Sequence, residues 1–309
     1  MKLIVTGGRG YIGSRLVSRL LELGHEVVIL DDLSTSVNHK KVDSEFIRAD
    51  ITDLESLLKI KLVGADAVLH LAAQSSGPKS IEIPEKDISI NILGTLNILK
   101  WCLQNDVSRI IYASSFVVYG DQSHEKPIHE SSPCEPKSIY ALSKRYSERL
   151  LDIYAEHHQI SWNVIRQFNV YGPGQDLTRS DQGMVSIFMN LILNNSKIKV
   201  QGSLDRYRDF IHINDVIQGW ELCLENNKPN QIFNLGSGKK TTIRDLIENI
   251  RICFDKEIEV FEEGNTPGDI LGCHADIEKI KKLLGFKPKF NIKNGVEDMS
   301  NWVKSLSQR

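Results

Sequence analysis

The sequence predicts an α/β fold with a Rossmann-type, doubly wound parallel sheet and a smaller C-terminal α/β lobe. Short β-rich runs alternate with helical stretches over the first two-thirds of the chain. Most of these runs are apolar on both faces, and a glycine-rich turn joins the first run to the first helix. Such alternation predicts right-handed crossovers between parallel strands, with helices covering both faces of the sheet.

The predicted elements of the first part follow this alternation in order. The strand candidates are Lys2–Val5, Glu26–Leu30, Glu45–Arg48, Ala67–His70, Arg109–Ala113 and Trp162–Arg166. The helix candidates are Tyr11–Leu23, Leu54–Leu58, Ile88–Gln104 and Tyr140–His158. We therefore assign residues 1–167 to the first domain, with a return segment near residues 211–237.

The pattern loosens after Gln167, where Gly172, Pro173 and Gly174 mark a loop. We assign residues 168–309 mostly to the second lobe. Its helix candidates are Met184–Leu193, Thr242–Ile252, Asp276–Leu284 and Lys293–Lys304, and its strand candidates are Ile198–Gln201, Gln231–Leu235 and Glu257–Phe261.

Composition excludes several classes of protein. The chain has 309 residues, 41% hydrophobic and 25% charged, with a formal net charge of −2. This charge does not suggest a surface for nucleic acids or anionic membranes. The five cysteines form no C-x-x-C pair, so we expect neither a disulfide framework nor a metal site. The first apolar run is too short for a signal peptide and no stretch approaches a membrane span, so we expect a cytoplasmic protein.

The turn after the first strand has the spacing of a dinucleotide-binding loop. Gly7, Gly10 and Gly13 follow Thr6, and Tyr11 and Ile12 open the helix. Glycines let the backbone approach a pyrophosphate, and the helix N-terminus supplies N–H donors and a partial positive charge. The alternative is a tight turn made only for close packing. The position between strand and helix favours dinucleotide binding.

An acidic residue ends the second strand, 18 residues after Gly13. Asp31 there can accept hydrogen bonds from an adenosine ribose and repels a 2′-phosphate, which favours NAD over NADP. Asp32 is an alternative for the same role. Asp50 and Ile51, after the third strand, are candidates for contact with the adenine, and the alternative for Asp50 is a turn aspartate.

Tyr140 and Lys144 lie four residues apart at the start of a predicted helix, and therefore on one face. A free tyrosine has a pKa of about 10. We expect the neighbouring ammonium group and a nicotinamide cation to lower this pKa, so that Tyr140 can exchange a proton with a substrate hydroxyl. Ser115, with Ser114 as the alternative, ends the fifth strand, where side chains face the ligand crevice of such folds.

Taken together, these segments resemble the extended short-chain dehydrogenases/reductases, most closely their UDP-sugar 4-epimerases. The resemblance runs in order through nearly the whole chain. The matching segments are Thr6–Gly13, His70–Gln74, Asn91–Thr95, Ser114–Ser115, Tyr140–Lys144, Arg166–Pro173, Arg208–His212 and Pro267–Asp269.

The resemblance implies a role for each matching residue. Ser115 corresponds to the catalytic Ser/Thr, Tyr140 to the acid/base and Lys144 to the residue that holds the nicotinamide ribose; Ser115 and Tyr140 also contact the substrate. Phe168 would lie beside the nicotinamide of NAD. The other residues implied to bind NAD are Ser34, Thr35, Ser36, Leu71, Ala72, Ala73, Gln74 and Asn91, and those implied to bind the substrate are Asn169, Arg208, Asp269 and Cys273.

Departures from the family pattern narrow the implied activity. Sugar 4,6-dehydratases carry an Asp-Glu pair after the catalytic Ser/Thr, whereas this chain has Phe116 and Val117, which cannot transfer protons. The resemblance therefore implies an NAD-dependent nucleotide-sugar 4-epimerase that works through a 4-keto sugar. The alternatives are a 4-reductase or dehydrogenase, a 4,6-dehydratase, and a non-catalytic NAD-binding regulatory protein.

Two further positions concern the substrate. Thr266 stands where related epimerases often have an Arg that grips the diphosphate, a contact for which Arg206 or Arg208 could compensate. The small Cys273 matches a position beside the sugar 2-substituent and would admit a 2-acetamido group.

The helices Ile88–Gln104 and Tyr140–His158 resemble the pair that forms a dimeric four-helix bundle in this family, which implies a homodimer.

Overall fold

The computed structural model describes residues 1–35, 44–122, 126–181, 183–226, 228–264 and 272–306. The chain divides into two compact units. Unit 1 comprises Met1–Val118, Pro136–Arg166 and Gly219–Phe233, and unit 2 comprises Tyr119–Glu135, Gln167–Gln218 and Asn234–Arg309.

Thirteen strands are present among the described residues. They are β1 (Lys2–Thr6), β2 (Glu26–Asp31), β3 (Glu45–Arg48), β4 (Ala67–His70), β5 (Arg109–Ser115), β6 (Ser161–Gln167), β7 (Asn169–Tyr171), β8 (Ile198–Gln201), β9 (Tyr207–Arg208), β10 (Phe210–His212), β11 (Gln231–Leu235), β12 (Thr241–Thr242) and β13 (Val260–Glu263).

Eleven α-helices are described along the chain. They are α1 (Tyr11–Glu22), α2 (Leu54–Lys59), α3 (Gly77–Glu82), α4 (Pro84–Asp87), α5 (Gly94–Gln104), α6 (Ile139–His158), α7 (Met184–Leu193), α8 (Ile213–Glu225), α9 (Ile243–Phe254), α10 (Glu278–Leu284) and α11 (Ile292–Leu306). A π-helical turn, Ile88–Leu93, joins α4 to α5, and a 3₁₀ turn, Phe116–Tyr119, follows β5. No helix among the described residues combines the length and the apolar character needed to cross a membrane.

A seven-stranded sheet organises unit 1, in the order β11-β6-β5-β4-β1-β2-β3. The pairings of β1 with β2 and β4, of β2 with β3, and of β4 with β5 are parallel. The strand order reverses direction at β1, so the carboxyl ends of β1 and β4 border a crevice of the kind that binds ligands in doubly wound sheets. The predicted Rossmann-type α/β fold is confirmed.

The core of unit 1 lies between this sheet and its helices. Apolar residues of the strands, such as Ile4, Val68 and Ile110, pack with Leu99 and Trp101 of α5, and all five are fully buried. Burial on both faces explains why the strands read as continuous apolar runs rather than as alternating ones.

The described residues of unit 2 form three small sheets, each of two strands. The strand β10 pairs in parallel with β7, β13 pairs in parallel with β8, and β12 pairs antiparallel with β9. Its core contains Met189 of α7, Leu246 of α9 and Val296 of α11, all fully buried. The segment 119–135 belongs to unit 2, where Ile128 forms a parallel bridge with Ala275.

The structure differs from the predicted elements in several places: the short elements α3, α4, β7, β9, β10 and β12 were not predicted, and three further differences have clear causes. The predicted helix Ile88–Gln104 is interrupted by the π-helical turn before α5 begins. The strand expected at Glu257–Phe261 lies at Val260–Glu263, because its pairing with β8, rather than its own sequence, sets its limits. Helix α8 was not predicted, although its buried Ile213, Val216 and Trp220 follow helical spacing.

Candidate active site

The glycine turn is too tightly folded to accept side chains. Gly7 has a φ of +67°, and a Cβ added to it would lie 2.6 Å from the backbone nitrogen of Ala72. A Cβ added to Gly13 would lie 2.1 Å from the carbonyl oxygen of Gly7. Gly10 is the N-cap of α1 and has no side chain to cover the N–H groups of the first turn, which includes Tyr11 and Ile12. The turn thus presents helix N–H groups as an anion-binding site requires.

Asp31 ends β2 next to this turn and stabilises the loops around it. Its Oδ2 accepts a hydrogen bond of 2.9 Å from the backbone N–H of Arg9, and its Oδ1 accepts one of 2.8 Å from Leu33. Asp32 is more exposed, and its Oδ1 accepts hydrogen bonds from the backbone and hydroxyl of Ser34. Asp31 is therefore the carboxylate held against the glycine turn, a structural contact that sequence analysis missed.

The other residues expected near the adenosine lie beyond β2 and β3. Asp50 is exposed and accepts hydrogen bonds of 2.8 Å from the backbone and hydroxyl of Thr52, the geometry of a turn aspartate. Ile51 is buried, and a Cβ at Gly94 would lie 2.5 Å from its side chain. Thr35 is exposed at the end of a described range, and Ser36 lies outside the described residues.

A chain of hydrogen bonds crosses the carboxyl ends of β1 and β4. Thr95 Oγ1 donates to the carbonyl oxygen of Asn91 at 2.6 Å, so it accepts from His70 Nε2 at 3.1 Å. The other ring nitrogen, Nδ1, then accepts from Thr6 Oγ1 at 2.6 Å. Burial, with a contribution from the charge of Lys144, lowers the pKa of His70 to about 3, so the ring is neutral.

These hydrogen bonds set the position of the segment after β4, which is expected to line the cofactor. Thr6 Oγ1 also accepts from the backbone N–H groups of Leu71 and Ala72, both at 3.2 Å. Asn91 holds Gln74 by two hydrogen bonds, accepting from its backbone nitrogen at 2.9 Å and donating to its carbonyl oxygen at 3.0 Å. The segment from Leu71 through Ala73 to Gln74 stays partly exposed. Sequence analysis did not foresee that His70 and Thr6 set its position.

Ser115, Tyr140 and Lys144 come together at the end of β5 and the start of α6. The hydroxyl of Ser115 lies close enough to the phenol of Tyr140 to lower its pKa. Lys144 is 3% exposed and donates a hydrogen bond of 2.9 Å to the carbonyl oxygen of Ala113. Its Nζ lies 6.0 Å from the ring centroid of Tyr140 and 4.8 Å from that of Tyr112. The arrangement places a hydroxyl, a phenol and an ammonium group side by side.

The pKa values at this cluster reflect burial. Burial raises the pKa of Tyr140 to about 12, against the hydrogen bond from Ser115, which lowers it. Burial also lowers the pKa of Lys144 to about 8, although the carboxylates of Asp87 and Glu148 raise it. Sequence analysis expected a lowered tyrosine pKa. The structure gives the opposite direction, because removing the phenolate from water outweighs the favourable contacts.

Ser114 has a different partner and belongs to a buried ionic network. Its hydroxyl donates a hydrogen bond of 2.6 Å to Glu148 Oε1. Arg166 of β6 donates to both carboxylate oxygens of Glu148, at 2.9 and 2.6 Å, and Arg145 donates to Oε2 at 2.8 Å. The network ties α6 to β5 and β6 one turn beyond Lys144. Sequence analysis missed it, although Glu148 lies four residues after Lys144 and could have been placed on the same face.

In unit 2, the residues expected to bind the substrate surround a buried carboxylate. Asp209 accepts hydrogen bonds from the backbone nitrogens of Ser237, Gly238 and Ala275 at 2.7, 2.9 and 3.1 Å. Asn169 donates from its backbone and its side chain to the carbonyl oxygen of Asp209. Asp209 thus organises this part of unit 2.

Three of the remaining predicted residues are also buried. Arg208 is 4% exposed, and its Nη1 donates to the carbonyl oxygen of Tyr207 at 2.8 Å. Cys273 is buried, and burial raises the pKa of its thiol to about 12. Phe168 is buried, and its backbone nitrogen donates to the carbonyl oxygen of Leu235 at 2.9 Å. Asp269 and Thr266 lie outside the described residues.

A Rossmann-type sheet with this glycine turn and a Ser-Tyr-Lys cluster defines the short-chain dehydrogenase/reductase class. Within it, the chain belongs to the NAD-dependent epimerase/dehydratase family, whose model matches residues 3–236. The UDP-glucose 4-epimerase of Mycolicibacterium smegmatis is 31% identical over 315 residues, covering 100% of both chains.

Solved structures agree with this assignment. The Thermotoga maritima UDP-glucose 4-epimerase, crystallised with UDP-glucose, is 30% identical with a TM-score of 0.94, covering 99% of this chain and 100% of that one. The Thermus thermophilus UDP-glucose 4-epimerase, in complex with NAD, is 30% identical with a TM-score of 0.90, covering 98% and 99%. The resemblance to extended short-chain dehydrogenases/reductases is therefore confirmed, and so is NAD as the family's cofactor.

Proposed function

We propose that this chain is an NAD-dependent UDP-hexose 4-epimerase that works through a transient 4-keto sugar. One observation carries the proposal: Ser115, Tyr140 and Lys144 lie together in the unit that also holds the glycine turn. A proton donor and acceptor, a second hydroxyl and a positive charge are the groups needed to oxidise and reduce a sugar hydroxyl. The relatives described above act as UDP-glucose 4-epimerases, which supports the choice of substrate class.

Several residues of unit 1 fit NAD. The steric limits at Gly7 and Gly13 leave a backbone cradle for the pyrophosphate, with Tyr11 and Ile12 in the first turn of α1. The carboxylate of Asp31 would accept hydrogen bonds from the adenosine ribose, and its charge would repel a 2′-phosphate. Further contacts would come from Asp32, Ser34, Thr35, Ser36, Asp50, Ile51, Leu71, Ala72, Ala73, Gln74 and Asn91. Phe168, which belongs to unit 2, is proposed to contact NAD on the resemblance alone. When bound, NAD supplies a hydride acceptor and donor and a positive charge near the reacting hydroxyl.

The chain's own residues would perform the proton transfer. Tyr140 would remove the proton from the sugar 4-hydroxyl and return it to the same oxygen after the keto sugar has turned to present its other face. Ser115, whose hydroxyl lies close to the phenol, would bind the reacting oxygen. The ammonium group of Lys144 would stabilise the phenolate and bind the nicotinamide ribose, and so offset part of the burial cost that raises the tyrosine pKa.

The residues of unit 2 would hold the nucleotide sugar. Arg208 is a buried guanidinium that could bind the diphosphate in a bidentate way, and Asn169 would add an amide donor. Cys273 is small and would leave room for a 2-acetamido group. Arg206 is a poor substitute for an arginine at position 266, because its Nε already donates to the carbonyl oxygen of Ser203 at 3.2 Å. Asp269 is proposed to contact the substrate on the resemblance alone.

Epimerisation is favoured over dehydration by the residues after Ser115. Removal of water from a sugar needs an acid and a base beside the catalytic hydroxyl. The 3₁₀ turn at that place carries Phe116 and Val117, which have no ionisable group. A reductase or dehydrogenase remains an outcome of the test below.

The test is an NMR assay of the purified protein with UDP-glucose, UDP-galactose and their 2-acetamido forms, without added NAD. We expect interconversion of at least one pair, with bound NAD recovered from the denatured protein. Stoichiometric consumption of added NAD(H) would instead identify a reductase or dehydrogenase. No reaction with any pair, even with NAD supplied, would contradict the proposed substrate class.

We also propose that the protein forms a homodimer through α6 and the π-helical turn. Leu142, Tyr146 and Ile153 are spaced by four and seven residues, which places them on one face of α6, and they are 54%, 52% and 45% exposed. Ile88 and Leu93 of the π-helical turn, which packs against α6, are also exposed. Exposed apolar side chains grouped on one helix face are typical of an interface, and a second copy would cover them.

Sedimentation velocity of the Tyr146→Glu variant tests this assembly. We expect the wild-type protein to sediment as a dimer and the variant as a monomer, because a buried carboxylate at the interface has no partner. The control is Ile252→Glu on α9, where the apolar residue is 68% exposed but belongs to no such face. A monomeric wild-type protein would contradict the proposal.

We expect the enzyme in the cytoplasm, which fits its five unpaired cysteines.

A further inference from the structure

Asp209, between β9 and β10, is a fully buried carboxylate with four hydrogen-bond donors around it in the described part of unit 2. Its Oδ1 accepts from the backbone nitrogen of Ser237 at 2.7 Å and from the Ser237 hydroxyl at 2.6 Å. Its Oδ2 accepts from the backbone nitrogens of Gly238 and Ala275 at 2.9 and 3.1 Å. These donors are neutral, and they offset part of the burial cost that raises the pKa of this carboxyl.

The donors belong to two segments that are separate in sequence. One segment follows β11 and includes Ser237, and the other contains Ala275, two residues after Cys273. The carboxylate therefore cross-links both segments to the connection between β9 and β10. The packing is close, because a Cβ added to Gly236 would lie 2.7 Å from Asp209 Oδ2 and 2.8 Å from the Cβ of Ala275.

The backbone at Asp209 holds two further residues of the expected substrate site. Its carbonyl oxygen accepts from the backbone nitrogen of Asn169 at 3.1 Å and from the Asn169 side-chain amide at 3.0 Å. Arg208 precedes Asp209 in the chain and is buried. The side chain and backbone of this one residue thus contact or adjoin the segments that carry Asn169, Arg208 and Cys273.

The segment of Cys273 is also held from a second side, which limits its movement. The backbone nitrogen of Ile128 donates to the carbonyl oxygen of His274 at 2.8 Å, and the backbone nitrogen of Asp276 donates to the carbonyl oxygen of Ile128 at 2.8 Å. Because both bonds join backbone groups, a substitution at Asp209 leaves them in place. Loss of the carboxylate should therefore shift the segment locally rather than unfold it.

We propose that Asp209 is a positioning residue for substrate binding, because its carboxylate fixes the segment of Cys273 relative to Arg208 and Asn169. It acts through these residues rather than on the substrate, since its oxygens already accept from the four donors. A group that only aligns binding residues stabilises the ground state and the transition state equally, so its loss raises KM more than it lowers kcat. The cross-link stands on the structure of unit 2, and its effect on the nucleotide sugar rests on the proposed function.

The first test is amide hydrogen exchange, which measures the cross-link without any substrate. Asp209→Asn is nearly isosteric, but the new side chain can accept at only one of the two oxygen positions, because its amide nitrogen is itself a donor. We expect exchange to accelerate by about 10-fold at Ser237, or at Gly238 and Ala275, whichever donors face the amide nitrogen. Unchanged exchange at all three amides would overturn the proposal, whether or not the protein epimerises sugars.

The second test measures UDP affinity by calorimetric titration, together with KM and kcat for the sugar nucleotide that is interconverted. In Asp209→Asn we expect UDP affinity to fall and KM to rise, each by about 10-fold or more, while kcat stays within a factor of about 3. Wild-type UDP affinity in the variant would overturn this proposal alone. A wild-type protein that does not bind UDP would contradict both the proposed substrate class and the role of Asp209 in binding it.

The matched control is Asp215→Asn. Asp215 is also a buried aspartate of unit 2, and its carboxylate accepts from the backbone nitrogens of Lys289 and Phe290 at 2.9 and 3.0 Å. This variant should lose stability but keep the wild-type KM and UDP affinity, because its donors belong to none of the segments that Asp209 cross-links. If Asp215→Asn weakens UDP binding as much as Asp209→Asn does, the effect is a general loss of stability and the proposal fails.

A second variant covers the case in which Asp209→Asn does not fold. Gly236→Ala keeps the carboxylate but forces it away from Ala275, since the new Cβ would lie closer to both than ordinary van der Waals contact allows. We expect UDP affinity to fall by a factor of about 3 or more, with faster exchange at the amide of Ala275. Wild-type UDP affinity in Gly236→Ala would overturn the proposal.

Discussion

The hydroxyl of Ser114 donates a hydrogen bond of 2.6 Å to Glu148, and both side chains are buried. The next residue, Ser115, instead places its hydroxyl close to the phenol of Tyr140. Successive side chains of a strand point to opposite faces, which gives the two serines different surroundings. One serine therefore belongs to the ionic network that ties α6 to the sheet, and the other to the reaction centre.

Alanine variants of the two serines should have opposite effects. Ser115→Ala removes the hydroxyl beside Tyr140, and we expect turnover to fall by a factor of about 10 to 10² with little loss of stability. Ser114→Ala removes a donor from the buried Glu148 and should cost about 1–3 kcal/mol of unfolding free energy while turnover stays near that of the wild type. Measurements of turnover and of urea unfolding for both variants test these two predictions. The assignment fails if Ser114→Ala is the variant with the greater loss of turnover.

Tyr140→Phe should reduce turnover by a factor of about 10² or more, because it removes the group proposed to transfer the proton. Folding and NAD content should stay nearly intact, since the ring and its packing remain. Turnover, circular dichroism and released NAD are measured together. Tyr146→Phe, on the same helix but with an exposed ring, is the control and should behave as the wild type. Wild-type turnover in Tyr140→Phe would rule out this residue as the acid/base.

Asp31→Ala should weaken NAD binding about 10-fold or more and NADP binding less, because the variant loses both a ribose acceptor and the charge that repels a 2′-phosphate. It also loses the acceptor for the backbone N–H of Arg9, so part of the loss will be common to both cofactors. Calorimetric titration of the cofactor-free protein measures the two affinities. Asp32→Ala should keep the wild-type ratio of NAD affinity to NADP affinity. If Asp32→Ala instead loses the preference for NAD, the roles of the two aspartates are reversed.

His70 should make the protein less stable in acid. Its folded-state pKa of about 3 lies below that of a free histidine, so the unfolded chain binds the extra proton between about pH 6.5 and 3. The free energy of unfolding then decreases by about 1 kcal/mol for each unit by which the pH falls within this window. His70→Gln keeps a donor and an acceptor without the titration, and should reduce this slope in urea unfolding between pH 6.5 and 4.5. The same slope in His70→Gln and in the exposed control His157→Gln would contradict the assignment.

Local sequence signals predicted most of the fold. Apolar runs placed the six strands β1 to β6 within one or two residues of their limits, and the glycines of the first crossover placed the turn at Gly7–Gly13. These signals depend on neighbours in sequence, so they can be read without the tertiary structure. The interruption of a helix at Ile88–Leu93 had no comparable signal, because a π-helical turn forms where packing demands an extra residue.

The site was only partly predictable for the same reason. The spacing of Tyr140 and Lys144 was enough to place them on one face, and the chain order of the motifs indicated a family. Spacing could not distinguish Ser114 from Ser115, or foresee the direction of the tyrosine pKa. Both depend on which groups surround a side chain and on how much water is removed.

The sequence by itself determined the strand–helix alternation, the cofactor turn and the residue types of the reaction centre, because these follow from local spacing and conformational preference. Only the tertiary structure decided that Glu148 is shared by Ser114 and two arginines, and that Asp87 is buried with one oxygen unpartnered. Most of these contacts join residues far apart in the chain. Their energies are set by burial and by the balance of charge in three dimensions, which no local pattern encodes.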